Sequence, residues 1–493
     1  MREPAENTNI PPLFVAVLPM IILVVLLSFN VMVYRDNALS GSNQMILLIA
    51  AAVTVALATS YGHRWLTLLE AMVNGVRVAT PSILILLMVG ALAGTWLVGG
   101  IVPTIIYYGI KMINPTVFLP VACITSALVA VATGSSWSTS ATVGIALIGI
   151  GKALGLDPAI VAGAILSGAY FGDKMSPLSD TTNLAAAVGG TDLFTHIRYM
   201  SLTTGPSFVI ALTLFVFLGF GGGATSADVD YQAVLAALDQ RFNINPLLMI
   251  VPIAVVVLII KKVPALPAIV AGVIMGAVAA LIFQYDIVLQ VGSDYGATDY
   301  PLYVGIMQAL VGDVSIPADN PMLDELLTSG GMAGMLNTIW LIIAAMLFGG
   351  AMEGSGFLRQ ITAAIIQRVH SAGGLIASTA ATCLFTNATA SDQYLSIVVA
   401  GKMFSEAYEE RGLASKNLSR TLEDAGTVTS VLIPWNTCGA YHASVLGVAT
   451  LSYAPFAFFC LISPLMTIMY ATLNFKIARL DDDIDEQEVV AAV

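Results

Sequence analysis

Long apolar blocks, interrupted by short polar stretches, dominate the chain. Two examples, PPLFVAVLPMIILVVLLSFNVMV at 11–33 and IALTLFVFLGF at 210–220, contain no charged residue. A block of roughly 18 or more such residues is long enough to cross the ~30 Å hydrocarbon core of a bilayer. The pattern therefore predicts an all-α polytopic membrane protein. Its spans are expected near 11–34 (a retained first span), 43–60, 81–100, 116–133, 141–155, 157–176, 193–220, 246–262, 264–285, 334–353, 374–387 and 440–473.

Two longer polar regions divide this pattern. Residues 222–245 are Gly-rich and are predicted to form a linker. Residues 286–330 carry acids and turn residues and are predicted to form an extramembrane loop. The predicted organisation has these parts: N-terminal spans 1–75, a first repeat 76–221, the linker 222–245, spans plus the loop 246–330, a second repeat 331–479 and an acidic tail 480–493.

Four short polar breaks interrupt the apolar blocks, two in each half. They are TGSSWSTS (133–140), GDKMSPLSDTTN (172–183), TNATASDQ (386–393) and LEDAGTVTS with PWNT (422–437). Thr133 and Asn183 are 50 residues apart, as are Thr386 and Asn436. Matching breaks in two halves are what two inverted repeats of a transporter leave in a sequence.

The composition of these breaks opposes a continuous helix. Gly134 costs about 1 kcal/mol relative to Ala, and clustered hydroxyl side chains compete for backbone groups. Pro177 and Pro434 each remove a backbone donor. Broken helices persist at membrane depth only where protein covers them or where they line a wet cavity. We therefore expect the breaks to meet around a binding site near the bilayer midplane.

Acidic side chains in the breaks indicate what binds there. An acid within the membrane costs about 2.5–3.5 kcal/mol, so its presence favours a functional role. Asp173, Asp180, Asp392, Glu423 and Asp424 lie in or beside the breaks, among hydroxyl and amide groups. Oxygen ligands of this kind suit a hard cation. A carboxylate that holds either Na⁺ or H⁺ is the simplest chemistry for exchange.

Charge and cysteine content change this picture little. The net charge of −12 comes largely from the tail DDDIDEQE at 481–488 and from acids of the 286–330 loop. The four cysteines form no CxxC pair, so neither a disulfide framework nor a zinc site is indicated. No cofactor and no nucleic-acid partner are expected; the expected partners are Na⁺, H⁺ and membrane lipid.

Three strings in the chain resemble the NhaC family of sodium/proton antiporters: TGSSWSTSATVGIALIGIG, GAYFGDKMSPLSDTTNLA and EDAGTVTSVLIPWNTCGAY. The resemblance covers roughly residues 75–475. It implies two inverted repeats, each with a re-entrant hairpin and an unwound helix, and an elevator-type motion in the cytoplasmic membrane. The implied hairpin tips lie at 133–138 and 386–392, and the implied unwound stretches at 176–183 and 434–437. A homodimer is also implied.

The predicted site joins both halves. Asp173 or Asp180 is the expected exchanging carboxylate, and Na⁺ is expected at Asp173, Asp180, Asn183 and Asn436. The other candidate ligands are oxygen-bearing side chains of the four breaks: Thr133, Ser135, Ser136, Thr181, Thr182, Thr386, Asn387, Thr389, Asp392, Asp424 and Thr437. Asp424 matches Asp173 by spacing, and either acid could instead form a structural pair with Lys402 or Lys174.

Several other functions are weighed against cation exchange. The same family includes exchangers of sodium and malate for protons and lactate, but no arginine lies in the breaks and Lys174 is their single cation. A channel needs a continuous polar path, and the breaks are discrete. An intramembrane enzyme is not supported, because the chain has no HExxH or GxSxG, and GIGKAL at 149–154 lacks the Ser or Thr of a phosphate loop.

Overall fold

The computed structural model describes residues 11–34, 41–112, 114–220, 231–261, 263–296, 299–318, 324, 326–366, 369 and 371–480, and these residues are mostly helical. The helices are α1 (Leu13–Tyr34), α2 (Ser42–Ser60), α3 (Trp65–Val98), α4 (Ile101–Met112), α5 (Pro115–Thr133), α6 (Ser136–Thr139), α7 (Ile145–Ala153), α8 (Pro158–Met175), α9 (Asp180–Gly189), α10 (Leu193–Phe220), α11 (Tyr231–Arg241), α12 (Ile250–Ile260), α13 (Ala265–Phe283), α14 (Tyr285–Asp294), α15 (Pro301–Val311), α16 (Gly331–Gly334), α17 (Leu336–Gly354), α18 (Phe357–Ile366), α19 (Ala372–Thr389), α20 (Gln393–Glu409), α21 (Ser415–Thr421), α22 (Thr437–Leu446), α23 (Thr450–Tyr453) and α24 (Phe458–Thr472).

Shorter elements connect some of these helices. One π-helical turn, Ser140–Gly144, joins α6 to α7, and a second, Leu422–Thr427, continues α21. Turns of 3₁₀-helix occupy Pro246–Met249, Ser430–Leu432 and Ala454–Phe456. A two-residue antiparallel hairpin, β1 (Val314–Ser315) and β2 (Thr328–Ser329), completes the described elements.

The apolar helices are long enough for a membrane protein. Among the described residues, seven helices can cross a bilayer by length and composition, and two bent pairs raise the number to nine if each pair is one span. Large apolar side chains such as Phe29, Phe217 and Ile282 are exposed on these helices. An apolar exterior of this extent is a surface for lipid. The prediction of an all-α polytopic membrane protein is confirmed.

Each polar break coincides with an interruption of helical structure. The first lies between α5 and α6, the second between α8 and α9, and the third between α19 and α20. The fourth separates the Ser430–Leu432 turn from α22. The second interruption is shorter than the 176–183 stretch expected from the sequence, because the Ser179 hydroxyl accepts from Thr182 N (3.3 Å) and starts α9 at Asp180.

Other expected boundaries need correction. The linker 222–245 contains the helix α11, and its residues 222–230 lie outside the described part of the chain. The segment 286–330 is not a loop, because it contains most of α14, all of α15 and the β hairpin. The predicted span 440–473 is divided into α22, α23 and α24, with Gly447 in the left-handed conformation (φ 63°) after α22. Most of the acidic tail (481–493) also lies outside the described residues.

Close helix packing positions the second break. Gly168 and Gly172 on α8 face the backbone of α5, and a Cβ atom at either position would overlap Cys123 or Ala127. Small residues four positions apart allow two membrane helices to approach this closely. α8 is thereby held along α5, and the two helices carry the first and second breaks at their C-terminal ends. α9 then packs on α20, so the second break also meets the third.

Candidate ion-binding site

A cavity of about 480 Å³ lies where the first, second and third breaks meet. Its wall combines the tip between α5 and α6, the end of α8, the start of α9 and the start of α20, together with parts of α3, α12 and α13. The lining residues are Pro81, Ser82, Ile85, Thr133, Gly134, Ser135, Trp137, Ser138, Asp173, Leu178, Asp180, Ile259, Val263, Pro264, Ala265, Gln393 and Tyr394.

Asp173 is the buried carboxylate of this cavity. It is 4% exposed, and its Oδ2 accepts hydrogen bonds from Ser136 N (2.9 Å) and Ser136 Oγ (2.7 Å). Its Oδ1 has no hydrogen-bond partner among the described residues. Two donors on one oxygen favour the ionised carboxylate and fix its orientation. Asp173 lines the cavity, and its Oδ1 is a buried acceptor that no described residue fills.

Gly134 brings the first break against the second. It adopts φ 70°, which glycine accepts without strain, and a Cβ atom there would lie 2.6 Å from the Leu178 carbonyl carbon. The chain then enters α6, whose cap is the Ser135 hydroxyl accepting from Ser138 N (3.2 Å). The backbone of this turn also carries the Ser136 N–H that binds Asp173.

Asp180 connects the two halves at the cavity. Its Oδ1 accepts from Thr181 N (2.9 Å) and its Oδ2 accepts from the Tyr394 hydroxyl (2.6 Å). Tyr394 lies in the first turn of α20, directly after the third break. A carboxylate held by one donor on each oxygen retains further acceptor capacity. Asp180 can therefore add a second negative charge to the wall without being buried.

The second-half polar residues are largely occupied by one another. Asp392 Oδ1 caps α20 by accepting from Tyr394 N (2.9 Å) and Leu395 N (3.0 Å). Asn436 caps α22 through Cys438 N (3.0 Å) and donates to the Asn387 carbonyl oxygen (2.9 Å). Ser391 O accepts from Thr437 N (2.8 Å). These bonds join the third break to the fourth. The polar side chains that line the cavity therefore come mainly from the first and second breaks.

A second buried cluster lies around Asp424. Lys174 Nζ forms an ion pair with Asp424 Oδ1, and both side chains are fully buried. The same ammonium donates to Ser463 Oγ (3.0 Å). Asp424 Oδ2 accepts from the hydroxyls of Thr203 (2.7 Å) and Thr467. Of the pairings left open for Asp424 and Lys174, the structure contains this one.

The predicted site residues separate into two groups. Thr133, Ser135, Asp173 and Asp180 line the cavity, and Ser136 donates two hydrogen bonds to Asp173. The others do not line it: Thr181, Thr182, Asn183, Thr386, Asn387, Thr389, Asp392, Asp424, Asn436 and Thr437.

Helix ends account for much of this difference. The Asn183 amide donates to Ser179 O (2.6 Å), and the Thr182 hydroxyl donates to Lys174 O (3.1 Å), so both close the second break. Asn436 Oδ1 is occupied by a backbone N–H, and Asn183 is bonded to the second break through its amide nitrogen. Neither residue lines the cavity, so the expected four-residue Na⁺ site is not assembled in this structure.

Some residues of the site were not predicted. Tyr394 and Gln393 were missed, although their position in the first turn after the third break was a usable signal. Thr203, Ser463 and Thr467, which surround Asp424 outside the cavity, were also missed, because isolated hydroxyls on apolar helices usually mark helix–helix contacts.

The oxygen atoms at the cavity suit a hard cation. They are carboxylate and hydroxyl oxygens, which hard cations prefer. Among the described residues, no group of three or more His, Cys, Asp or Glu side chains is placed to hold a metal ion. None of the described lining residues carries a positive charge. The wall is therefore acidic, with two carboxylates and several hydroxyls.

The chain is similar to known sodium-coupled antiporters. Residues 168–475 match the model of the Na⁺/H⁺ antiporter family. The Na⁺/H⁺ antiporter NhaC of Alkalihalophilus pseudofirmus is 40% identical over 84% of this chain and 87% of its own length. The malate-2H⁺/Na⁺-lactate antiporter of Bacillus subtilis is 36% identical over 94% of this chain and 95% of its own length.

A solved transporter structure is also similar. Neisseria gonorrhoeae MtrF, described as belonging to a class of antimetabolite efflux pumps, has 13% sequence identity and a TM-score of 0.39 over 94% of this chain and 96% of its own. The family model covers the second, third and fourth breaks, and the NhaC relatives match most of the chain. By these matches the chain belongs to the Na⁺/H⁺ antiporter family, as an NhaC-type member.

Proposed function

We propose that the protein exchanges Na⁺ for H⁺ across the cytoplasmic membrane by alternating access. Na⁺ binds in the cavity at Asp173, with Asp180 and the tip residues Thr133, Ser135 and Ser138 supplying further charge and oxygens. Asp424 is not a ligand in this proposal, since Lys174 already neutralises it. The observation that carries the proposal is the partnerless Oδ1 of an otherwise well-held buried carboxylate at the cavity wall.

The two halves supply the parts that alternating access requires. In both halves the helical structure is interrupted at two places, and the interruptions follow the same order along the chain. Interrupted helices around a mid-membrane site are typical of secondary transporters built from inverted repeats. We extend the proposal to two inverted repeats that move one bundle against the other, with the cavity carried between the two sides. A homodimer is part of the same proposal.

The experiment is Na⁺-driven proton movement in proteoliposomes that hold the purified protein and a trapped pH dye. We expect an imposed Na⁺ gradient alone to move protons. Asp173→Asn should abolish the signal, and Asp180→Asn should lower it. Asp239→Asn, at an exposed position on α11, is the matched control and should behave like the wild type. Folded Asp173→Asn protein that exchanges Na⁺ at the wild-type rate would refute the proposed site.

A second candidate is exchange of small organic acids coupled to Na⁺. One relative is named as a malate-2H⁺/Na⁺-lactate antiporter, and the cavity volume exceeds the needs of a single ion. The acidic wall favours a cation over a free carboxylate substrate. Adding malate and lactate on opposite sides of the same vesicles separates the two functions. Proton movement that begins only with the organic acids would favour the exchanger of organic acids.

A further inference from the structure

A further buried carboxyl group, that of Glu423, takes no part in the proposed Na⁺ site. Glu423 is 0% exposed, and neither Oε1 nor Oε2 has a hydrogen-bond partner among the described residues. The neighbouring Asp424, by contrast, has both oxygens occupied. An ionised carboxylate buried without partners costs several kcal/mol, so Glu423 favours the neutral, protonated form.

Glu423 lies on an element that packs against two helices of the cavity wall, α9 and α20. It lies in the π-helical turn Leu422–Thr427, which packs against α9, α19 and α20. π-Helical turns are often found at functional sites. The Thr427 hydroxyl in the same turn also lacks a partner among the described residues. Glu423 is not among the residues that line the cavity.

Two charges on α8 act directly on Glu423. Lys174 attracts its ionised form, and Asp173 repels it. Other titratable groups lie on the elements packed around this turn. The buried ones are His196 on α10, Cys383 on α19, Tyr408 on α20, Lys416 and Arg420 on α21, and Cys460 on α24, and Asp180 at the start of α9 is exposed. Asp424 is adjacent in sequence and is paired with Lys174. The positive charge beside Glu423 is thus already balanced, while the charge on Asp173 changes when a cation binds.

We propose that Glu423 is the proton-binding residue of the exchange, so that Na⁺ and H⁺ occupy different carboxyl groups, Na⁺ at Asp173 and H⁺ at Glu423. This inference rests on the proposed Na⁺/H⁺ exchange and assigns its proton. It replaces the single shared carboxylate expected from the sequence. Asp173 accepts two hydrogen bonds from Ser136, which favour its ionised form, whereas neither oxygen of Glu423 accepts a bond of this geometry from a described residue.

The coupling of Na⁺ binding to proton release follows from the charges of Asp173 and Glu423 alone. With the cavity empty, the negative charge of Asp173 favours protonated Glu423. When Na⁺ binds at Asp173, that repulsion is cancelled, the O–H bond of Glu423 breaks, and the electron pair stays on the carboxylate. The proton leaves to water on the side to which the site is open, once the movement of the site brings Glu423 into contact with the cavity. On the other side, Na⁺ departs and Glu423 takes up a proton, so one Na⁺ is exchanged for one H⁺ with no net change of charge in the site.

The test measures Na⁺ binding to the purified full-length protein by calorimetry over a range of pH. If one proton must leave for Na⁺ to bind, the apparent Na⁺ dissociation constant rises by about tenfold per pH unit on the acidic side. Glu423→Gln fixes the neutral form, so we expect weaker Na⁺ binding that no longer depends on pH. Glu406→Gln, at an exposed position on α20, is the matched control and should keep the wild-type slope. A wild-type slope in Glu423→Gln overturns the proposal.

Infrared spectroscopy of the wild type provides a test without any variant. We expect Na⁺ to remove a carboxylic-acid C=O band that shifts when glutamate is labelled with ¹³C. A band that shifts only with labelled aspartate, or the absence of any such band, overturns the assignment to Glu423. Failure of the proposed function is distinguishable, because the wild type would then bind no Na⁺ and drive no Na⁺-dependent proton movement, whereas failure of this inference alone leaves both intact.

Discussion

Two buried aspartates near the centre of the molecule differ in what their oxygens meet. Both oxygens of Asp424 accept hydrogen bonds, and Lys174 balances its charge. Asp173 keeps Oδ1 without a described partner at the cavity wall. A saturated carboxylate has no acceptor position left for a cation, whereas a half-saturated one does. The unfilled acceptor separates the proposed ligand from the structural acid.

Removing one member of the Lys174–Asp424 pair should be far more harmful than removing both charges. A buried ion left without its partner costs about 3–5 kcal/mol, and replacing the whole pair is often nearly neutral. We therefore expect Lys174→Met to lower the unfolding temperature strongly. The double variant Lys174→Met with Asp424→Asn should recover much of that loss, because the amide still meets the hydroxyls of Thr203 and Thr467.

The measurement is thermal unfolding of the purified variants in detergent, followed by intrinsic fluorescence. Lys402→Met serves as the control, since Lys402 is exposed on α20. Equal unfolding temperatures for the wild type and Lys174→Met would mean that the ion pair contributes nothing to stability.

Single residues could be predicted from the sequence only in part. Asp173 and Asp180 were identifiable because acids within apolar blocks are rare and costly. The sequence could not distinguish the roles of Glu423 and Asp424. The two acids are adjacent in sequence, yet Glu423 has no described hydrogen-bond partner, whereas both oxygens of Asp424 accept hydrogen bonds. The difference is set by Thr203 and Ser463, which the fold brings from distant helices and which no local pattern identifies.

At the scale of secondary structure, helix ends explain why the breaks are stable. Ser179, Asp392 and Asn436 each cap the helix that follows a break. A side-chain cap satisfies backbone donors that lipid cannot satisfy. Such residues cluster in the breaks, which is why the sequence located all four. The same clustering led to the prediction that Asn183 and Asn436 bind Na⁺, because capping and ion binding use the same residue types.

Short helices were harder to predict than broken ones. α11, α14 and α15 have 10 or 11 residues, and each lies in a region whose acids and glycines favour a loop. Their apolar faces are buried against other helices by residues such as Leu238, Val288 and Ala309. That burial, rather than their own composition, stabilises them, since isolated helices of this length are marginal in water.

The tip between α5 and α6 should tolerate no side chain at Gly134. Gly134→Ala places a Cβ at φ 70° and against the Leu178 backbone, so we expect lower stability and slower exchange. Gly190→Ala is the matched control: it has φ 77° but nothing within 4 Å of an added Cβ. The left-handed conformation alone costs roughly 1–2 kcal/mol, and Gly134→Ala should exceed the control. Unfolding temperature and exchange rate test this; equal effects would mean that the contact with Leu178 is unimportant.

At the scale of the whole molecule, the site depends on contacts between the halves. α9 packs on α20, and the Ser140–Gly144 turn packs on α22. Neither contact is visible in local periodicity, so the sequence predicted the breaks but not their pairing. The cavity is also asymmetric, because the second-half residues Asn387 and Asn436 bond to each other instead of facing it. A symmetric prediction from matching spacings could not reveal this.

Alternating access predicts that the cavity wall changes its exposure with the bound ion. The four native cysteines are all buried, so the chain has a low background for thiol labelling. Ala265→Cys, at the cavity wall, should react with a membrane-impermeant maleimide from one side, and its rate should change several-fold between high Na⁺ and low pH. Ser60→Cys, at the exposed end of α2, should react equally in both. A labelling rate at position 265 that does not change with Na⁺ or pH would argue against a moving site.

The Lys174–Asp424 pair also has a consequence for the order in which the protein is made. The two residues are 250 positions apart. At about 5–20 residues per second, Lys174 is synthesised roughly 12–50 s before its carboxylate partner. Until then its ammonium can reach water only by extending to the membrane interface. We therefore expect the C-terminal end of α8 to reach its final position only after the second half has been synthesised.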